Sequence, residues 1–228
     1  MWRYHRVLRD RDSERIGLLC RLVNFAEDVV EDAECKDLLV SLDHPEEIAI
    51  EPVECRYSIR ESTEIYGEHH RLENIVLGSG DKSFRELYNY IVEAYRTTLH
   101  SRFLNTIAKL RGWKTEYYLG ILFDGTMFIA EGRKDHISLP GIPQCFSAHT
   151  HPEPYPLPSS TDLKMITRLL LDRGIGHAVV AMGSTLVIYR VKPLTLSDYE
   201  VLQGIDYRDP VNALREISRL DSIKLRYI

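Results

Sequence analysis

The sequence predicts an α/β chain of the α+β kind, a mixed β-sheet flanked by helices, with an accessory segment in front of it. Three observations carry this. From Phe84 to Leu110 apolar residues recur at spacings of three and four (among them Leu87, Tyr88, Ile91, Tyr95, Leu99, Phe103 and Ile107), the period of one buried helix face. YYLGILF (117–123) and TMFIA (126–130) are joined by Asp124-Gly125, a dipeptide suited to a tight hairpin turn. QCFSAHTH (144–151), an amphipathic stretch over 160–173, HAVVAM (177–182) and TLVIYRV (185–191) then alternate extended and helical patterns.

Taken in order, residues 1–80 form the accessory segment and 81–228 the main domain. In the first, Ile16, Leu19, Leu22, Val23, Phe25, Ala26, Val29 and Val30 predict a helix within 14–40, and EEIAIEPVECRYSIRE (46–61) alternates like one or two strands. Acidic residues far outnumber basic ones from Glu27 to Glu73. Such a face is usually solvated, and otherwise docks a basic partner or serves homo- or hetero-oligomer formation. GSGD (78–81) breaks the pattern, Ser83 opens the long helix and Gly112 is its natural stop. Gly174 ends the 160–173 helix, Gly183-Ser184 turns a second hairpin, and 198–202 and 210–220 read as helices.

Bulk properties exclude several classes. The 228 residues are 44% hydrophobic and 28% charged, which is ordinary for a globular chain. A net charge of −5 and a pI near 6.0 give nothing to a nucleic-acid binder driven by basicity. No run approaches the roughly 20 apolar residues that cross a bilayer, so no membrane partner is expected. MWRYHRVLRDRDSER has no apolar core of a secretory leader, so the expected location is cytoplasmic. Cys20, Cys35, Cys55 and Cys145 are scattered without a CxxC pair and read as buried thiols.

The chemistry concentrates in HTHPEPYPLPSSTD (149–162). Alternation along a strand points His149 and His151 to one side, where two imidazoles can meet one ion. Pro152 holds His151 extended, and prolines at 152, 154, 156 and 158 make a stiff bridge to Ser159 and Asp162 at the next helix start. Two imidazoles and a carboxylate leave a fourth tetrahedral position open, the pattern of a catalytic rather than a structural zinc. Taken alone, Ser159-x-x-Asp162 is a helix capping box and a lone HxH is weak. Capping and ligation are compatible, because the cap fixes where Asp162 points.

These residues, as HxHP, six residues, then SxxD, resemble the signature of the JAMM/MPN⁺ (JAB-domain) zinc metalloproteases. The resemblance covers about residues 83–205 and implies an MPN/JAB-like sheet. It implies Zn2+ held by His149, His151 and Asp162, Ser159 as a donor to the oxyanion, and an upstream glutamate as general acid/base. Known members are isopeptidases that remove ubiquitin or ubiquitin-like modifiers, so the implied partner is a protein conjugate. Glu116, directly before YYLGILFD, takes the glutamate's place, and the run from Glu116 to Asp124 resembles the opening strand of RadC-like members. Glu131 is the competing acid.

Two features depart from the family pattern. Gly120 lies four residues after Glu116, where many eukaryotic members have glycine three after, and 131–146 (EGRKDHISLPGIPQCF) is too short and rich in Pro and Gly for the usual intervening helix. The alternative function is a metal-binding but catalytically silent MPN-type scaffold. A metal-dependent phosphoesterase or amidohydrolase would need further ligands, and only one histidine, His177, follows His151. His69-His70 read as solvent-exposed, His100 and His177 as isolated, and His136 as a substrate contact at most.

Overall fold

A computed structural model describes residues 3–44, 47–110, 115–132 and 142–228. The chain has the expected mixed character, and its contacts divide it into two compact units. One is Leu18–Tyr90; the other joins Met1–Gly17 to Ile91–Ile228. This division differs from a break at residue 80 because strand pairing crosses that boundary at both ends.

In the unit of residues 18–90, α1 (Arg11–Asp32) buries Leu19, Leu22, Val23, Ala26 and Val29 at helical spacing. It stops well short of the predicted Val40. The chain turns at Glu34, whose φ is 49°, and β2 (Cys35–His44) begins. Leu38 and Val40, which looked like a continued helix face, are buried with a strand's period of two. The 46–61 stretch makes one strand, β3 (Glu47–Cys55), and then α2 (Arg60–His69), whose thin apolar content gave no helical signal. Short β4 (Ile75–Leu77) and β5 (Lys82–Ser83) complete a sheet ordered β4-β3-β2-β5. The β2–β5 pairing and the hydrogen bond from Tyr88 Oη to the Glu27 carboxylate tie residues 82–90 to this unit.

The β2–β3 register places Cys35 opposite Cys55, and the two form a disulfide, while Cys20 and Cys145 are buried and outside any disulfide. This corrects the reading of four thiols. Sequence spacing says nothing about cross-strand register. A bridge of this kind persists in oxidising compartments or in intracellular proteins of hyperthermophiles. Among the described residues no helix is long and apolar enough to cross a membrane.

The other unit is built on a seven-stranded sheet ordered β1-β7-β6-β8-β9-β10-β11. Edge strand β1 (Arg3–Leu8) pairs antiparallel with β7 (Met127–Glu131), which is why the first residues belong here. The predicted long helix is present as a 3₁₀ turn (Phe84–Glu86) capped by Ser83, then α3 (Leu87–Ala94), a π turn (Tyr95–Leu99) and α4 (His100–Lys109). Its expected stop, Gly112, lies outside the described residues. β6 (Tyr117–Leu122) and β7 form the Asp124-Gly125 hairpin, where Gly125 takes a φ of +85°.

β8 (Gln144–Thr150) runs antiparallel to β6 and parallel to β9 (Gly176–Val180). The β8-to-β9 crossover is α5 (Ser160–Leu171), so β8, α5 and β9 form a βαβ unit whose carboxyl end is a natural place for a ligand. β10 (Thr185–Arg190) continues the second hairpin, and α6 (Leu196–Gly204) and α7 (Pro210–Ile217) lead to edge strand β11 (Ile223–Tyr227), which carried no sequence signal. On one face, Val179, Leu186 and Ile188 pack with Leu163, Ile166 and Leu170 of α5, Leu202 of α6 and Ile217 of α7. On the other, Leu119, Met127 and Ile129 meet Leu99 and Phe103. Each such side chain, fully buried, contributes roughly 1.5–3 kcal/mol.

Candidate metal centre

The centre forms where the last turn of one strand meets the first turn of a helix. His149 is the penultimate residue of β8, is only 2% exposed, and points to the face covered by α5. His151 lies just past the strand, held by its backbone N–H donating to the Val180 carbonyl at 2.7 Å. Pro156 and Pro158 of the following linker are buried, and they deliver the chain to Ser159, the N-cap of α5.

The predicted capping box is formed. Ser159 Oγ accepts from Asp162 N at 3.2 Å, and the Asp162 carboxylate accepts through Oδ2 from Ser159 N at 2.7 Å. This leaves Asp162 Oδ1 facing His149 Nε2 at 3.6 Å, while His151 Nε2 lies 3.9 Å from Oδ2. One ligand atom from each of His149, His151 and Asp162 falls within 4.8 Å of the others, so this group could hold a metal ion. The fit has an independent mark. Among the described residues, His149 Nε2, the atom that faces Asp162, is buried without a hydrogen-bond partner. Leaving such a nitrogen unmet costs about 1–3 kcal/mol, which a coordinated ion would recover. Neutral imidazoles with one carboxylate are a donor set suited to zinc or its first-row neighbours.

The local electrostatics favour ligand-competent protonation states. Burial alone would raise the Asp162 carboxyl, but the His149 imidazole beside it, with the hydrogen bonds to Ser159, holds it well below the usual carboxylate range. Burial pushes the His151 imidazole down, and the neighbouring His149 adds to that against the opposing pull of Asp162 and Glu153. His151 is therefore neutral at pH 7, with lone pairs to offer.

His177, read from the sequence as isolated, is the residue that reading missed. The parallel register sets it beside Ser147 on β9, wholly buried and on the same face as His149. Its Nε2 is 2.7 Å from His149 Nδ1, and its Nδ1 is 2.6 Å from Ser147 Oγ. Burial, followed by the charge on His149, drives its pKa well below the ordinary value. His70 is corrected from exposed to half-buried, its Nε2 2.6 Å from Asp28 Oδ2, whereas His69 is exposed. His100 Nε2 meets Thr185 Oγ1 at 3.0 Å, and His136 lies outside the described residues.

The two acids separate by strand alternation. Tyr118 is directly opposite His149, and Glu116, one residue ahead of β6, has the parity of Tyr118 in that alternation. Glu131 pairs with Tyr117, which puts it on the opposite face and one strand farther from β8. Glu116 is half-buried, and its backbone carbonyl accepts from Gly132 N at 2.8 Å. Ser159 is exposed, and because its oxygen is the acceptor in the cap, its hydroxyl proton stays available to a ligand. Residues 133–141, where a family helix was expected to be missing, lie outside the described residues. Comparison of the chain with family models, with curated proteins and with solved structures returns no match.

Proposed function

We propose that this protein is a zinc-dependent metallopeptidase of the JAMM type, hydrolysing a peptide or isopeptide bond, with conjugates of a ubiquitin-like modifier as the substrate class. The observation that carries the reading is the convergence of His149, His151 and Asp162 around a buried, unpartnered His149 Nε2. The spacing HxHP, six residues, SxxD supports it, because that is the JAMM arrangement. Zinc bound by these three residues would polarise a substrate carbonyl and lower the pKa of water to about 7.

The remaining steps belong to the chain. Glu116, directly before β6, takes a proton from the attacking water on its carboxylate and returns it to the leaving amine nitrogen. Ser159 Oγ–H donates to the carbonyl oxygen as negative charge builds there. Asp162 and the α5 cap hold this donor beside the ligands. A cytoplasmic setting belongs to the same proposal.

The test combines metal analysis with one substitution. Purified protein should contain about one zinc per chain and cleave a panel of modifier fusions. Glu116→Gln should keep the zinc and lose about 10²–10⁴-fold in turnover. Zinc-free protein at full activity, or unchanged turnover in Glu116→Gln, refutes this mechanism. Bound zinc without turnover on any fusion leaves the silent scaffold as the correct reading.

A further inference from the structure

We infer that His177 is a positioning residue that fixes the tautomer of His149, through a buried hydrogen-bond relay running His149, His177, Ser147. The inference rests on the proposed metal site and says how the sheet prepares one of its ligands. His149 can offer Nε2 to an ion only if its ring proton sits on Nδ1. That N–H then donates to His177 Nε2, 2.7 Å away. With Nε2 accepting, the neutral His177 ring carries its proton on Nδ1 and donates to Ser147 Oγ at 2.6 Å.

The opposite polarity would put the His149 proton on Nε2, where it points at the site and blocks a metal. That state is also the poorer one, because an Nε2–H there would be a buried donor with no hydrogen-bond partner. The usual orienting partner of a metal-bound histidine is a carboxylate, carbonyl or water. Here a second imidazole takes that place, so no extra negative charge reaches the centre through His149. The residues come from the adjacent strands β8 and β9, so the sheet register itself sets the relay.

Two measurements decide it. In metal-free protein with 15N-labelled histidine rings, long-range proton–nitrogen correlation should show His149 and His177 both protonated on Nδ1, assigned through the resonances lost in His149→Gln and His177→Gln. A wild-type His149 ring protonated on Nε2 overturns the inference, whatever the metal content. In competition with a chelator of known affinity, His177→Leu should weaken zinc binding about 10–100-fold. His177→Gln, whose Oε1 can accept from His149 Nδ1–H, should recover most of that loss.

Equal affinity in His177→Leu and wild type also overturns the inference, as does an equal loss in the Leu and Gln variants, which would mark a packing role. If His177→Leu does not fold, the wild-type tautomer and the Gln variant decide. Wild-type protein that binds no zinc sinks the metallopeptidase reading, while the ring spectra of metal-free protein still judge His177.

Discussion

Replacing Asp162 with asparagine separates ligation from capping at a single side chain. His149 Nε2 and Asp162 Oδ1 are 3.6 Å apart, and His151 Nε2 and Oδ2 are 3.9 Å apart. Zinc bonds of about 2.0–2.1 Å in a tetrahedron place ligand atoms roughly 3.3–3.4 Å apart, so these two pairs need shifts of only a few tenths of an ångström, within a group that spans no more than 4.8 Å. An ion present at 100 times its Kd stabilises the folded state by about 2.7 kcal/mol. For a chain of this length that is a rise of about 5–11 °C in Tm. The amide oxygen of the substituted side chain would still accept from Ser159 N, so the cap survives. Losing the negative charge at the start of α5 costs about 0.3–1 kcal/mol. Chelator-stripped Asp162→Asn should therefore melt only about 1–4 °C below wild type. Its response to added zinc should be largely lost. Scanning calorimetry with and without zinc, beside titration calorimetry for stoichiometry, measures both quantities. A variant with the wild-type zinc-induced shift at the wild-type midpoint refutes Asp162 as a ligand.

Ser159→Ala removes the other half of the cap. The metal-free protein should lose about 1 kcal/mol, while turnover falls by more than zinc affinity does. Gly120→Ala places a Cβ 2.3 Å from the Phe128 ring and 2.5 Å from Gln144 Oε1, and overpacking of this kind costs about 1–3 kcal/mol, read as a lower Tm in thermal melts. The pH dependence of the metal-free protein follows from His177, whose folded pKa lies below its unfolded value near 6.5. Below that pH the unfolded chain takes up a proton that the fold refuses, so His177 contributes stability above about pH 6.5 that is lost as the pH falls, by about 1.4 kcal/mol per unit. In denaturant titrations from pH 7.5 to 5, His177→Gln should show a shallower loss than wild type, and parallel slopes would refute the assignment.

Much of the centre was legible because it is local. The alternation of His149 and His151 and the Ser159–Asp162 box are set by a strand end and a helix start within 14 residues, 149–162. The 117–130 hairpin was equally readable, since its turn chemistry is written in two residues. His177 could not be found this way. It reaches His149 through parallel register across a helical crossover, and nothing in HAVVAM marks it. Register also paired Cys35 with Cys55, which is not encoded in spacing. β1 escaped notice because its partner, β7, lies more than 110 residues later. β2 was mistaken for helix because Leu38, Leu39 and Val40 fit both periods over so short a run.

The shared use of the Asp162 carboxylate bears on exchange rates as well as on affinity. Its Oδ2 closes the first turn of α5, and the same group faces His149. Helix ends open and close far more often than whole proteins unfold. Every fraying of that turn swings the third ligand away, so a captured ion would be lost on the clock of a helix end. Amide exchange at Asp162 and Leu163, and the off-rate of zinc into excess chelator, should then rise and fall together. Substitutions that tighten the cap without touching a ligand would lengthen the ion's residence.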